Sequence, residues 1–104
     1  MAAKTIQVEV VTPERAAFSG PATYVIARGT EGELGVLPEH APLITALRES
    51  VLMVRRPDGE EIRMGVTGGF LEVTPSTVTV LADGVNLPGE EDARHPLSTP
   101  TLTQ

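Results

Sequence analysis

Cysteine and tryptophan are absent from this chain, and only three of its 104 residues are aromatic. Without cysteine, the protein can form neither a disulfide nor a thiolate metal site. Because Phe18, Tyr24 and Phe70 are the whole aromatic content, we expect a core built from Val, Ile, Leu, Met and Ala. The apolar fraction of 40% is enough for one such core, and the length is typical of a single domain.

Basic residues are also scarce. Eight Lys and Arg oppose fourteen Asp and Glu, which gives a formal net charge of −6. Nucleic-acid binding requires clustered Lys and Arg to neutralise phosphates, so we expect no nucleic-acid partner. An acidic surface favours a basic protein partner, although the need for solubility explains the charge equally well.

Long apolar runs are missing as well. The longest, Val51 to Val54, is far shorter than the roughly 20 residues that span a bilayer. The N-terminal residues lack the charged-then-apolar pattern of a signal peptide. We therefore expect no direct membrane insertion, so that any link to a membrane runs through partner proteins.

The inventory of reactive side chains argues against catalysis. The only histidines are His40 and His95, which is too few for a zinc site with about three protein ligands. The sequence has no nucleophile elbow, phosphate-binding loop or cysteine nucleophile. Two pairs of neighbouring carboxylates occur, Glu31/Glu33 and Glu60/Glu61. Three aromatic residues cannot line the sugar cleft that a glycosidase needs around such a pair. We predict that the chain is not an enzyme and binds no cofactor or metal ion.

Apolar and polar residues alternate along most of the chain, as they do in half-buried strands. The segments Ile6 to Val10 and Ile62 to Val66 show this pattern clearly. No window of eleven residues before Val85 keeps a helical period. We predict an all-β fold, a flattened β-sandwich of about nine to ten short strands.

Turn residues predict where several strands end. Pro57-Asp58-Gly59 supplies a fixed φ, an acceptor side chain and a glycine that adopts positive φ, so we expect a hairpin between residues 51–56 and 60–66. Ser19-Gly20-Pro21 predicts a turn, and Gly35 to Leu37 predicts a brief strand.

The composition changes after Asp83, where the chain becomes polar and contains Pro88, Pro96 and Pro100. Such a segment cannot bury enough apolar area to offset the entropy lost on ordering it. We therefore expect a folded domain at residues 1–86 and a tail at residues 87–104 with little or no helix.

The most informative stretch is residues 31–47, which reads EGELGVLPEHAPLITAL. Gly- and Pro-punctuated connections of this length in a small domain are more often functional surfaces than spacers. Together with GGFLEV at residues 68–73 and VLAD at residues 80–83, it closely resembles the epsilon subunit of the F-type ATP synthase. The resemblance runs from about Val8 to about Asp83, with the motifs in family order and at family spacing.

This resemblance implies a non-catalytic rotor subunit of the central stalk that links the gamma shaft to the membrane c-ring and supports coupling of ion transport to ATP synthesis. It also implies a peripheral location at the cytoplasmic face of a bacterial inner membrane, and a monomer when the subunit is isolated. Carried over by motif, the c-ring contact is Thr30, Glu31, Gly32 and Glu33. The gamma-subunit contact is His40, Ala41, Pro42 and Thr45.

Each of these positions also has a plainer interpretation. Glu31 and Glu33 alone could form a solvated acidic turn, and His40 could fix its loop through a backbone carbonyl. Gly68-Gly69 could be a turn or bulge, or a close approach of another backbone. Arg55-Arg56 reads as a solvated hairpin end or as a patch for an acidic partner.

The chain departs from the family at two places. Glu39 stands where many relatives have glycine, which predicts a backbone different from the left-handed one that glycine favours. Near the C-terminus, Arg94 matches a nucleotide-binding element, whereas Glu91, His95 and Pro96 depart from it. We therefore interpret Arg94 as vestigial, expect a short form without the C-terminal helical hairpin, and expect no ATP-sensing brake.

The alternative to a stalk subunit is a stand-alone β-sandwich that binds a ligand or peptide. That function would need a concave site with convergent polar groups. A stalk subunit would instead need an exposed apolar patch larger than a lone monomer usually shows.

Overall fold

The computed structural model describes residues 4–87, and this part of the chain contains ten strands and no helix. The strands are β1 Ile6–Val11, β2 Ala16–Ala22, β3 Tyr24–Gly29, β4 Gly32–Val36, β5 Leu43–Leu47, β6 Ser50–Arg55, β7 Glu61–Val66, β8 Gly69–Val73, β9 Thr77–Ala82 and β10 Val85–Asn86. The all-β prediction and the predicted number of strands are both confirmed. Within residues 4–87, no helix is long and apolar enough to cross a bilayer.

Hydrogen bonding joins the strands in the order β10-β7-β6-β3-β5-β8-β9-β1-β2, with β4 paired to β3 on its other side. The junction between β3 and β5 is a single register pair, Gly29 with Leu47. We call β4-β3-β6-β7-β10 the first sheet and β5-β8-β9-β1-β2 the second sheet. The ten strands of residues 4–87 are thus hydrogen-bonded throughout, and the single β3–β5 pair is the corner at which these two five-stranded sheets meet.

Alternation along the strands places aliphatic side chains in the core. Along β1, β8 and β9, every second side chain is fully or nearly fully buried, and the intervening ones lie outside. The largest fully buried side chains come from both sheets and are Ile6, Leu52, Met64, Leu71, Val8, Val10, Val25, Val36, Val54, Val73, Val78 and Val80. None is aromatic, as the composition predicts.

The hairpin predicted around Pro57-Asp58-Gly59 is present. Strands β6 and β7 pair from Ser50–Val66 to Arg55–Glu61. In the turn, the Asp58 carboxylate accepts a hydrogen bond of 2.9 Å from the Glu60 amide, and Gly59 has a φ of 94°. The turn chemistry is local, and it fixes this hairpin as expected.

Two local predictions are wrong. Ser19-Gly20-Pro21 does not turn the chain but lies inside β2. That strand is last in the sheet order, and an edge strand tolerates a proline because one of its sides needs no hydrogen bonds. The brief strand predicted from Gly35 to Leu37 is instead β4, which begins at Gly32 and ends at Val36, because it pairs along β3 back to Gly29.

Candidate functional site

The four residues of the predicted c-ring contact form the tip of the β3–β4 hairpin. Gly29 pairs with Gly32, so Thr30 and Glu31 make a two-residue connection. Gly32 has a φ of 128°, which residues with a Cβ rarely adopt. Thr30, Glu31, Gly32 and Glu33 are all exposed. The structure thus brings these four residues together in one exposed turn, which we call the hairpin tip.

The hairpin tip carries carboxylates that are free to meet a partner. Within residues 4–87, the side chains of Glu31 and Glu33 form no hydrogen bond or ion pair. The backbone of the tip is nevertheless anchored, because the Thr30 amide donates to the Ala46 carbonyl oxygen at 3.0 Å. The Arg48 amide likewise donates to the Arg28 carbonyl oxygen at 3.1 Å. The hairpin tip is therefore attached to the end of β5.

The predicted gamma contact begins in the loop before β5. His40 is half-buried, and its Nδ1 donates to the Ala41 carbonyl oxygen at 2.7 Å. The His40 amide also donates to the Leu37 carbonyl oxygen. These bonds support the interpretation that His40 fixes its loop through backbone carbonyls. Ala41 and Pro42 are exposed, so this loop still offers a surface beside the strand.

Thr45 lies apart from the other predicted gamma contacts. It is in the middle of β5 and half-buried. Alternation puts its side chain on the face of Leu43 and Leu47, away from Ile44 and Ala46. A Cβ on Gly29 would come within 3.1 Å of the Thr45 hydroxyl, so Thr45 packs against the corner where the two sheets meet.

The prediction that the Glu39 backbone differs from the left-handed one favoured by glycine is wrong. Its φ is 70°, and it is the only residue other than glycine within 4–87 with positive φ. The Glu39 amide donates to the Pro75 carbonyl oxygen at 2.8 Å, and its carboxylate pairs with the Lys4 ammonium at 2.8 Å. These contacts hold the left-handed conformation that glycine would adopt without strain.

An apolar row that the sequence analysis did not identify crosses the outer face of the second sheet. Strand register aligns Ala46 with Phe70, Phe70 with Leu81, Leu81 with Val11, and Val11 with Ala16. We call these five residues the apolar row. Phe70 and Leu81 are 57% and 54% exposed, and the nearby Ile44 is 70% exposed. The row is thus an apolar band across all five strands of the second sheet, exposed at Ala16, Phe70 and Leu81 and half-buried at Val11 and Ala46.

A local signal for this row exists in the sequence. Each contributing segment breaks the alternation by placing two or three apolar residues in succession: Val10-Val11, Phe70-Leu71 and Val80-Leu81-Ala82. One of the successive residues must then face outward. What the sequence does not give is the register that lines these outward residues up, because the strands are far apart in the chain.

The outer face of the first sheet has a different character. The Arg55 guanidinium donates to the Glu61 carboxylate at 2.9 and 3.2 Å and lies 5.4 Å from the Tyr24 ring centroid. The ring crosses Gly35, where a Cβ would come within 2.7 Å of the Tyr24 hydroxyl. The hydrogen bond from Arg55 lowers the pKa of Glu61, and Arg63 contributes to the same effect. Arg55 is therefore engaged within the sheet, which supports its reading as a solvated hairpin end.

Gly68-Gly69 combines the two alternatives that the sequence left open. Both residues have positive φ, 129° and 128°. A Cβ on Gly69 would overlap the Leu81 carbonyl oxygen and come within 2.9 Å of the Ala82 Cα. The close approach is thus real, but the backbone concerned is that of β9 in the same chain.

Residues 4–87 also form open clefts whose lining includes polar side chains. Two open clefts of about 490 and 450 Å³ lie at the ends of the strands, the first lined partly by Thr12, Glu14 and Asn86 and the second by Lys4 and Ser76. The buried Thr12 hydroxyl is already bonded to the Arg15 backbone. No group of three or more potential metal-binding side chains occurs within residues 4–87.

Comparison with known proteins places this fold in a family. Residues 5–88 match the model of the ATP synthase delta/epsilon chain β-sandwich domain. The chain belongs to that family. An ATP synthase epsilon chain from Brevibacillus brevis is 48% identical over 85 residues, which is 82% of this chain and 64% of the relative. One from Psychrobacter cryohalolentis is 53% identical over 79 residues, which is 76% of this chain and 57% of the relative. The chain thus spans less than two thirds of the length of these family members.

Two solved structures share the fold. A chain in the Euglena gracilis mitochondrial ATP synthase, in a structure of OSCP, F1 and c-ring, aligns with a TM-score of 0.77 at 21% identity, covering 84% of this chain and 56% of that one. A chain in the Tetrahymena thermophila mitochondrial ATP synthase central stalk and c-ring aligns with a TM-score of 0.68 at 16% identity, covering 89% and 74%. The family membership explains the resemblance seen in the sequence. Arg94 lies outside the described residues, and its vestigial role stays a prediction.

Proposed function

We propose that this chain is a non-catalytic rotor subunit in the central stalk of a rotary ATP synthase. In this proposal, the outer face of the second sheet packs on the gamma shaft, and the hairpin tip meets the polar loops of the c-ring. The subunit thereby supports the coupling of ion transport to ATP synthesis. It is held at the cytoplasmic face of a bacterial inner membrane through these partners, without entering the bilayer itself.

The observation that carries this proposal is the apolar row. Monomeric soluble proteins rarely expose contiguous apolar patches larger than about a few hundred Å², and patches above that size often mark protein interfaces. The row lies on a flat sheet face, where a partner can cover Ala46, Phe70, Leu81 and Val11 together. An exposed apolar surface of this kind is what a stalk subunit requires and a stand-alone binding module does not.

The hairpin tip and the apolar row are mechanically connected. The bond from the Thr30 amide to the Ala46 carbonyl oxygen joins the first residue of the tip to a member of the apolar row. Packed protein interiors have low compressibility, so a force on the tip is transmitted to the second sheet with little deformation. This connection suits a subunit that passes torque between a ring and a shaft.

Substituting Glu33 tests the c-ring part of the proposal. Glu33→Arg reverses the charge that we assign to the c-ring contact, so we expect weaker ATP-driven proton pumping and less complex retained on membranes. The fold should stay intact, because Glu33 is exposed and a substitution at a merely solvated position shifts the free energy of unfolding by only about 0.5 kcal/mol. Glu60→Arg, a reversal in the exposed β6–β7 turn, is the matched control.

If Glu33→Arg and Glu60→Arg show equal pumping and equal complex retention, Glu33 is a solvated turn residue and not a c-ring contact. Thermal unfolding of both purified variants checks that neither result comes from loss of the fold.

A further inference from the structure

A row of polar residues runs beside the apolar row on the second sheet. Register aligns Glu72 with Thr79, Thr79 with Glu9, and Glu9 with Ser19. We call these four residues the polar row. Glu72, Thr79 and Glu9 each lie two residues along their strands from a member of the apolar row, and hence on the same face. Glu9 and Glu72 are separated only by Thr79, about 10 Å at the usual spacing of strands.

Glu9 differs from Glu72, the other carboxylate in the strands of this sheet, because hydrogen bonds hold its side chain in place. Its Oε2 accepts a hydrogen bond of 2.9 Å from the Gln7 amide and one of 2.8 Å from the Ser19 hydroxyl. Gln7 also donates to the Ser19 hydroxyl at 3.4 Å. These three side chains make a small network on the outer face, and it orients an acceptor-rich carboxylate beside Val11.

The negative charge on this face is not balanced from within the sheet. The five strands of the second sheet contain Glu9 and Glu72 but no Lys or Arg. Arginines are found instead in the strands of the first sheet, at Arg28, Arg55 and Arg63. A partner that covers the apolar row would remove water from the neighbouring carboxylates, which is unfavourable unless that partner supplies opposite charge.

We propose that Glu9 is a charge anchor that receives a Lys or Arg side chain from the partner covering the apolar row. The proposal rests on the function proposed above, in which that partner is the gamma shaft. The partner surface is then an apolar ridge with a basic residue beside it. The carboxylate is already oriented by Gln7 and Ser19, so little side-chain entropy is lost when the ion pair forms.

A second copy of this chain does not fit the same surface. In a two-fold symmetric dimer through the second sheet, each apolar row would meet the other, and the carboxylates of both copies would be buried with no basic strand residue to receive them. Charge complementarity therefore favours a basic partner over self-association.

Binding of the purified full chain to purified gamma subunit tests this inference. The dissociation constant is measured at low and at high salt for the wild type, Glu9→Gln, Glu60→Gln and Phe70→Glu. We expect Glu9→Gln to weaken binding about five-fold at low salt and to reduce its salt dependence, because one charge pair is lost. Glu60→Gln removes the same charge from the β6–β7 turn and should bind like the wild type. Phe70→Glu places a charge in the apolar row and should weaken binding at least a hundred-fold.

The outcomes separate the two proposals. If the wild type does not bind gamma, or Phe70→Glu binds as well as the wild type, the proposed docking face is wrong. If Phe70→Glu fails to bind while Glu9→Gln matches Glu60→Gln in affinity and salt dependence, the face is right and the charge anchor is overturned. Circular dichroism of each variant before the measurement ensures that only folded protein is compared.

Discussion

Two glutamates on opposite faces illustrate how neighbouring side chains control an exposed carboxylate. Hydrogen bonds from Gln7 and then Ser19 hold the pKa of Glu9 below its ordinary value of 4.5. On the first sheet, the hydrogen bond from Arg55 lowers the pKa of Glu61. A carboxyl group with a depressed pKa stabilises the fold at pH values above its unfolded pKa, and this contribution is lost as the pH falls through the folded pKa.

Removing one donor should therefore change the titration of Glu9. In Ser19→Ala, we expect the pKa of Glu9 to rise toward 4.5, but only part of the way because Gln7 still donates. The variant should be less stable than the wild type at neutral pH, and the difference should shrink as the pH falls below about 4.5. NMR titration of the Glu9 carboxyl measures the shift, with Glu61 as the internal control. An unchanged Glu9 titration would mean that Ser19 does not hold this carboxylate.

At the scale of strands, the β8–β9 hairpin depends on a backbone that only glycine allows. Gly69 combines a φ of 128° with a path so close to Leu81 and Ala82 that no Cβ fits. Gly32 at the hairpin tip has the same φ of 128° but has nothing within 4 Å of a Cβ position. The two glycines therefore separate the effect of backbone conformation from the effect of crowding.

We expect Gly32→Ala to lower the free energy of unfolding by roughly 1–3 kcal/mol, the usual range for a residue held in an unfavourable conformation. Gly69→Ala should cost about 2 kcal/mol more, because its methyl group also displaces β9 from β8. Urea unfolding of both variants measures the difference. Equal losses would indicate that β9 moves aside without penalty and that the close approach is not important for stability.

The sequence predicts best those elements whose determinants are local. The β6–β7 hairpin follows from Pro57-Asp58-Gly59, whose conformations do not depend on the rest of the fold. By contrast, Ser19-Gly20-Pro21 carries turn-forming residues yet lies in β2, since an edge position removes the penalty for proline. The two-residue strand β10 has no periodicity to detect, and it exists because Val85 and Asn86 pair with β7.

The same distinction between local and long-range determinants applies to the candidate site. Thr30 to Glu33 adjoin in sequence and form one turn, so their proximity could be predicted. The apolar row could not, because Ala46, Phe70 and Leu81 become neighbours only through the register of three strands, and Val11 joins them through the parallel pairing of β1 with β9. Parallel pairs lack a short connecting turn, and so leave no local trace in the sequence.

At the scale of the whole molecule, the two sheets present chemically different outer faces. The first sheet carries arginines paired with acidic side chains, as in the contacts of Arg55 and Arg63 with Glu61. The second sheet carries the apolar row, with Glu9 and Glu72 beside it and no basic residue in its strands. The outer face of the first sheet thus has paired charges and suits contact with solvent. The outer face of the second sheet suits a partner surface that is both apolar and basic.

The same asymmetry predicts how the isolated subunit behaves. We expect the full chain to remain a monomer, because a dimer through two apolar rows would bury Glu9 and Glu72 of both copies with no basic strand residue to pair with them. Glu9→Gln/Glu72→Gln removes these charges and should self-associate at about 0.1 mM and low ionic strength, a range accessible to weak dimers.

The double variant Glu31→Gln/Glu60→Gln is the matched control, since it removes two charges from turns of the first sheet and should stay monomeric. Sedimentation equilibrium measures all three proteins side by side. If both double variants associated equally, net charge alone would be what prevents self-association of the wild type. If neither did, the carboxylates beside the apolar row would have no part in keeping the subunit monomeric until its partner covers that face.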